Sequence, residues 1–174
     1  WLVFDTETIS VQDKSIFDIG MVVTDLKDTL YKKQMLIADV YKDPKFKRAY
    51  YYAKNKDYYK TIEEGNIYKA EEMRTELNRV IVEYGITHIT AYNMGFDLKA
   101  LNHSFGLYTN ASRNLSISRF KKYGIEATCL ISIFLLNADL EKYITFCLEN
   151  NHITEKGNIQ YTAECAYRFI MGDN

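Results

Sequence analysis

Proline, cysteine and histidine are scarce in this chain, and it has no long apolar run. Its 174 residues include one proline, three cysteines and three histidines. Because Cys129, Cys147 and Cys165 are widely spaced and form no Cys-x-x-Cys pair, the sequence predicts reduced core thiols of a cytoplasmic protein and argues against a zinc site. No apolar stretch approaches the roughly 18 residues typical of a membrane span, so we expect no membrane contact. The formal net charge of −1 excludes no class of partner.

Length and composition indicate one globular domain. The hydrophobic (47%) and charged (26%) fractions are ordinary for a globular protein, and 174 residues suffice to bury a core. The sequence begins at Trp1, inside a predicted strand and without an initiator methionine. We therefore expect a single domain over residues 1–174 that is incomplete at its N-terminus.

The first eight residues combine a predicted buried strand with two acidic side chains. Four apolar residues precede Asp5 and Glu7, which are separated by one position. Because side chains i and i+2 of a strand share a face, the two carboxylates are expected to lie side by side. Such carboxylates repel each other unless a cation lies between them, and hard oxygen ligands suit Mg²⁺ or Mn²⁺. The alternative is a solvated acidic turn after an edge strand.

The following pattern predicts an α/β fold. Strands are expected over Phe17–Asp25 and Thr29–Ala38, which with the first strand form an antiparallel three-strand meander. Apolar residues at helical spacing predict a helix over Ala70–Tyr84, and Ile86–Tyr92 reads as a further strand. A helix between strands is the crossover that parallel pairing requires. We expect a mixed sheet, with the antiparallel meander and parallel strands, flanked by helices.

A second acidic position follows the strand that ends near Tyr92. The segment Asn93-Met94-Gly95-Phe96-Asp97 leads into a predicted helix over Leu98–Phe105. Ligand sites of open α/β sheets gather at strand ends, which makes Asp97 a candidate partner of Asp5 and Glu7. The alternative is that Asp97 serves only as the N-cap of its helix.

The last third of the chain is predicted to be helical after a loop. Leu107–Lys122 is polar and is expected to be a long loop. Ala127–Asn137 and Leu140–Glu149 are apolar-rich and predict two helices. A final helix is expected over Thr162–Met171, with Thr162 as its N-cap.

Residues 41–60 are basic and rich in tyrosine, and they contain the only proline, Pro44, which suits the first turn of a helix. One interpretation is an amphipathic helix with a solvated basic face. The other is a contact surface for single-stranded nucleic acid, with cations along the phosphates and aromatic rings against the bases. The candidate contact residues are Lys45, Arg48, Tyr51, Tyr52 and Lys54.

Two motifs resemble those of a known enzyme family. Phe4-Asp5-Thr6-Glu7-Thr8 resembles the first motif of the DEDD superfamily of 3′–5′ exonucleases, the proofreading nucleases, and Asn93-x-x-Phe96-Asp97 resembles the second. The tyrosine-rich segment is similar to that of phage-encoded members. The resemblance implies a ribonuclease H-like fold and 3′–5′ hydrolysis of single-stranded or frayed DNA. It also implies a DNA polymerase or other replication proteins as partners, in the host cytoplasm if the protein is phage-encoded.

The resemblance assigns roles to the acidic residues. Two Mg²⁺ or Mn²⁺ ions would flank the scissile phosphate. Asp5 would bridge both ions, Glu7 would bind the ion that holds the attacking water, and Asp97 would support the second ion. For the substrate, Asn93 and Phe96 would shape the pocket of the terminal nucleotide. The backbone of Thr6 would contact the 3′-hydroxyl.

The third motif of the family departs from its pattern here. The family places His-x-x-x-x-Asp or Tyr-x-x-x-Asp at the last helix, and neither spacing occurs. Glu164 lies in the first turn of the predicted last helix and is the candidate fourth metal ligand, without a general base beside it. Alternatively Glu164 complements the helix dipole, or the chain stops before a standard third motif. His88, His103 and His152 do not convincingly supply the base, so we expect weak activity.

Three functions remain open from the sequence. The first is the DNA exonuclease, and the second is an RNA 3′–5′ exonuclease on the same scaffold, since no residue identifies a contact to a 2′-hydroxyl. The third is a nucleic-acid-binding or polymerase-associated module without catalysis.

Overall fold

A computed structural model describes residues 1–41, 43–44, 64–109 and 115–172. The chain divides into two compact units, Trp1–Thr128 and Cys129–Asn174. Ala38–Tyr41 forms a short helix, α1, at the start of the predicted basic segment. The candidate nucleic-acid contacts of that segment lie outside the described residues: Lys45, Arg48, Tyr51, Tyr52 and Lys54.

A six-stranded mixed sheet forms the centre of the first unit, with strand order β4-β3-β2-β1-β5-β6. The strands are β1 Leu2–Thr8, β2 Ile16–Thr24, β3 Thr29–Ile37, β4 Ile67–Tyr68, β5 His88–Ala91 and β6 Glu126–Cys129. The β1–β2 and β2–β3 pairs are antiparallel, whereas β1–β5 and β3–β4 are parallel. The predicted α/β fold with an antiparallel meander and parallel strands is therefore confirmed.

Helices α2 (Ala70–Glu83) and α3 (Met94–Tyr108) pack against this sheet. Met73, Leu77 and Val80 of the predicted apolar stripe of α2 are buried, whereas Ile81 and Tyr84 are half-buried. The helix is followed by Gly85 at φ +54°, a left-handed conformation that favours glycine. Helix α3 is longer than predicted and contacts β1, β2 and β5. The hydroxyl of Ser104 accepts a buried hydrogen bond from the Ile16 amide at 2.9 Å, which fixes α3 to the start of β2.

Two sequence predictions in this part of the chain are wrong. The expected loop over Leu107–Lys122 instead contains the end of α3 and a short helix α4, Ile117–Lys122. Ser116 supplies the N-cap of α4, since its hydroxyl accepts from the Arg119 amide at 3.2 Å. The helix was not predicted because this cap lies within a polar segment without helical periodicity. The expected helix over Ala127–Asn137 begins only after β6, because residues 126–129 pair at the edge of the sheet.

The second unit is helical, with α5 Leu130–Asn137, α6 Leu140–Glu149 and α7 Ala163–Met171. The predicted bounds of α6 are confirmed, as is the Thr162 N-cap, whose hydroxyl accepts from the Cys165 amide at 3.2 Å. Tyr143 is fully buried among aromatic rings, with its ring centroid 5.0 Å from that of Phe134, and its hydroxyl donates to the Gln160 carbonyl at 2.6 Å. This buried tyrosine joins α6 to the segment before α7.

The three cysteines are free, as predicted. Cys147 and Cys165 are buried on helices, whereas Cys129 is only half-buried and ends a strand. Within the described ranges, no helix combines the length and the apolar character needed to cross a membrane.

Candidate active site

The acidic pair at the end of β1 lies on one face of the sheet. Leu2, Phe4 and Thr6 are buried on the opposite face, and Asp5 is exposed while Glu7 is half-buried. This alternation is the period of a strand that is covered on one side. The sequence expectation that Asp5 and Glu7 project side by side is met because β1 stays regular until the irregularity between Glu7 and Thr8.

Asp97 is fastened directly to β1. Its Oδ1 atom accepts hydrogen bonds from the Thr6 amide at 3.1 Å and from the Thr6 hydroxyl at 2.7 Å. Both bonds are buried, and only 3% of Asp97 is exposed. Asn93, not Asp97, is the N-cap of α3, since the Asn93 side chain accepts from the Phe96 amide at 3.3 Å. Asp97 in the first turn of α3 is thereby attached to the residue between Asp5 and Glu7.

Each of the three carboxyl groups of Asp5, Glu7 and Asp97 has a pKa above its ordinary value. Desolvation, together with the smaller effects of the charges of Asp5, Asp18 and Asp97, raises the pKa of Glu7 to about 7. Desolvation also raises the pKa of Asp97 to about 6, against the hydrogen bonds from Thr6, which lower it. The pKa of Asp5 is raised by desolvation as well. Carboxylates in this state gain most from a neighbouring cation, because a cation favours their charged form.

Asp18 is a fourth acidic residue here, and sequence analysis missed it. The antiparallel register places Asp18 of β2 directly opposite Glu7 of β1. It is 6% exposed, and its Oδ2 atom accepts a hydrogen bond of 2.7 Å from the Gln34 amide of β3. A single aspartate inside the apolar run of β2 was the only available signal, and its position opposite Glu7 depends on the register of the two strands.

An open cavity of about 400 Å³ is lined by Asp5, Glu7 and Asp18 on their face of the sheet. Gly20 pairs with Asp5 across the strands, and the space where a side chain of Gly20 would lie is open. The residues that line the cavity include Asp5, Glu7, Asp18, Gly20, Lys32 and Gln34. The cavity thus carries acids from β1 and β2 and two lysines, Lys32 and Lys33, from β3.

The donors present suit a hard divalent cation by their chemistry, since all are carboxylate oxygens with raised proton affinity. Across the described stretches of the chain, no three His, Cys, Asp or Glu side chains already stand together as a metal cage.

The residues expected to contact substrate have structural roles as well. The amide and hydroxyl of Thr6 donate to Asp97, so both groups are engaged within the protein. Asn93 is exposed and caps α3, and Phe96 is half-buried one turn into the same helix. All three adjoin the acidic residues along the chain, and their contact with substrate stays a prediction.

Glu164, the candidate fourth ligand, belongs to the second unit. It lies in the first turn of α7, as predicted, with 71% of its side chain exposed. Its Oε1 atom is 3.0 Å from a guanidinium nitrogen of Arg168, one turn along the same helix. This ion pair and the position near the helix N-terminus suit the dipole interpretation, and a metal-binding role for Glu164 stays a prediction.

Each histidine has a neighbour of its own. The ring of His88 stacks on Trp1 at a centroid distance of 4.4 Å, and its Nε2 atom is 3.3 Å from Glu126. In the same unit, Nε2 of His103 is 3.8 Å from Asp13. In the second unit, the His152 ring is 5.5 Å from that of Phe146. These contacts give His88 and His103 structural partners and leave the general base unassigned.

Comparison of the sequence with models of protein families and with curated proteins gave no match. The chemistry of the carboxylate cluster on β1, β2 and α3 is therefore the basis for inferring function.

Proposed function

We propose that this protein is a divalent-metal-dependent 3′–5′ exonuclease of ribonuclease H-like fold that hydrolyses single-stranded or frayed DNA. The observation that carries the proposal is the attachment of Asp97 to Thr6 through two buried hydrogen bonds. The bonded residues, Thr6 and Asp97, are 91 positions apart in the sequence, so the contact joins the two motifs at one strand end. The strand order, with an antiparallel meander joined to parallel strands, is compatible with that fold.

In this proposal the protein's own groups hold and orient the ions and the DNA end. Asp5 and Glu7 present carboxylates on one face of β1, and Asp97 is fixed at its side by Thr6. Bound Mg²⁺ or Mn²⁺, two per site, would lower the pKa of an attacking water and stabilise charge on the leaving oxygen. Desolvation around Glu7 and Asp97 strengthens the interaction of these carboxylates with cations.

The test is a gel assay with 5′-labelled single-stranded DNA and RNA of the same sequence in Mn²⁺. We expect a ladder that shortens from the 3′ end and disappears in Asp5→Asn, which keeps the side-chain shape but removes the charge. Asp28→Asn is the matched control, because Asp28 is an exposed acid in the turn between β2 and β3. The polymer that shortens identifies the substrate.

The outcomes separate the competing functions. Binding of single strands without cutting in Mg²⁺ or Mn²⁺ would overturn the nuclease proposal in favour of a non-catalytic module. Glu164→Gln tests the fourth ligand: loss of the ladder supports metal binding by Glu164, whereas a ladder that persists leaves Glu164 to its ion pair with Arg168.

A further inference from the structure

We infer that Asp18, held by Gln34, is a further residue of the cation site and positions the ion that Glu7 binds. The inference rests on the proposed function, because it concerns the same site. It differs from that proposal in adding a residue from β2 and a supporting residue from β3, neither of which belongs to the two motifs.

The position of Asp18 beside Glu7 follows from the register of the adjacent strands β1 and β2. Glu7 of β1 is paired directly with Asp18 of β2. Side chains paired in this way share a face of the sheet and have Cβ atoms about 5 Å apart. Asp18 and Glu7 both belong to the lining of the cavity of about 400 Å³.

Gln34 fixes the orientation of Asp18. Its side-chain amide donates to Oδ2 of Asp18 at 2.7 Å. Asp18 is more than nine-tenths buried, whereas Gln34 lies at an exposed position of β3. The hydrogen bond therefore ties a buried carboxylate to one place between β1 and β3, which is how an outer residue usually orients a ligand.

Like charges at directly opposite positions of an antiparallel pair are unfavourable. The free-energy cost of this pairing is larger when one of the carboxylates is buried, as Asp18 is. A divalent cation at Glu7 outweighs this repulsion, since it attracts both carboxylates. The pairing of Asp18 with Glu7 is thus costly in the metal-free protein and favourable in the metal-bound one.

The experiment is a calorimetric titration of Mn²⁺ into the metal-free full chain, with the nuclease assay run in parallel. Asp18→Asn keeps the shape and the Gln34 contact while it removes the charge. We expect Mn²⁺ to bind about tenfold more weakly to this variant, as for other supporting residues of metal sites. At saturating Mn²⁺ the cleavage rate should largely recover, a split that a merely structural role would not produce. Asp28→Asn controls for the loss of one negative charge.

A second variant keeps the test informative if Asp18→Asn folds poorly. Gln34→Met removes the amide donor at an exposed position and leaves Asp18 charged. We expect a smaller weakening of Mn²⁺ binding than in Asp18→Asn, and Asp18→Glu should recover part of the affinity.

The experiment distinguishes a failure of the proposed function from a failure of the role of Asp18 alone. If the unaltered protein neither binds Mn²⁺ nor cuts DNA, the proposed function fails and this inference with it. If the unaltered protein binds and cuts, but Asp18→Asn and Gln34→Met both titrate like Asp28→Asn, only the role of Asp18 is overturned.

Discussion

Replacing Glu7 by glutamine should stabilise the metal-free protein above neutral pH. In the folded chain, desolvation and three neighbouring acids hold the pKa of Glu7 at about 7, against an ordinary value near 4.5. A carboxyl group whose pKa is raised in the folded state binds a proton more readily there, so its charged form destabilises the fold at pH values above the folded pKa. This penalty is fully present above about pH 7 and disappears as the pH falls toward 4.5.

The size of the effect follows from the pKa. The difference between a pKa of about 7 in the folded chain and one near 4.5 corresponds to roughly 3 kcal/mol of destabilisation, at 1.36 kcal/mol per pKa unit. Because Glu7 is half-buried and solvent screens part of the repulsion, we expect about 2 kcal/mol in practice. Glu7→Gln should therefore raise the free energy of unfolding by about 2 kcal/mol at pH 8 and change it little at pH 5.

The measurement is urea unfolding with EDTA at both pH values, followed by the same series in Mn²⁺. In Mn²⁺ at pH 8 the order should reverse, because the ion stabilises the charged form of Glu7 that the variant lacks. Glu155→Gln, at an exposed position in the second unit, is the control. Equal stability of Glu7→Gln and the unaltered protein at pH 8 in EDTA would refute the reasoning. So would a gain of the same size at both pH values.

Two further predictions concern the supports of the site. Thr6→Val removes the hydroxyl that donates to Asp97 and should lower the free energy of unfolding by about 1.5–3 kcal/mol, because the acceptor is a buried carboxylate. Urea unfolding at pH 8 measures this change, and a loss under about 0.5 kcal/mol contradicts the prediction. Gly85→Ala should lower the free energy of unfolding by about 1 kcal/mol because Gly85 adopts φ +54°, whereas Gly95→Ala within α3 should be neutral or slightly stabilising. Thermal melts of the two variants test this, and equal melting temperatures would argue against backbone strain at Gly85.

Local patterns in the sequence were sufficient for much of this fold. The alternation along β1 predicts that Asp5 and Glu7 share a face, and that periodicity needs no knowledge of neighbouring strands. The bounds of α6 and the Thr162 cap were likewise predicted correctly, because capping and helical periodicity act within a few residues. The predictions over Leu107–Lys122 and Ala127–Asn137 failed because the short helix α4 has a cap at Ser116 but no helical periodicity, and because the four-residue strand β6 is defined by its place at the sheet edge.

By itself, then, the sequence determined which acids stand at the ends of which elements, because strand and helix periods are properties of short segments. Only the tertiary structure decided that Asp97 is held by Thr6 and that Asp18 lies opposite Glu7. Both facts depend on the docking of α3 and on the register between β1 and β2. Register is set by the packing of whole strands, and a shift of one residue would move every side chain of β2 to the other face.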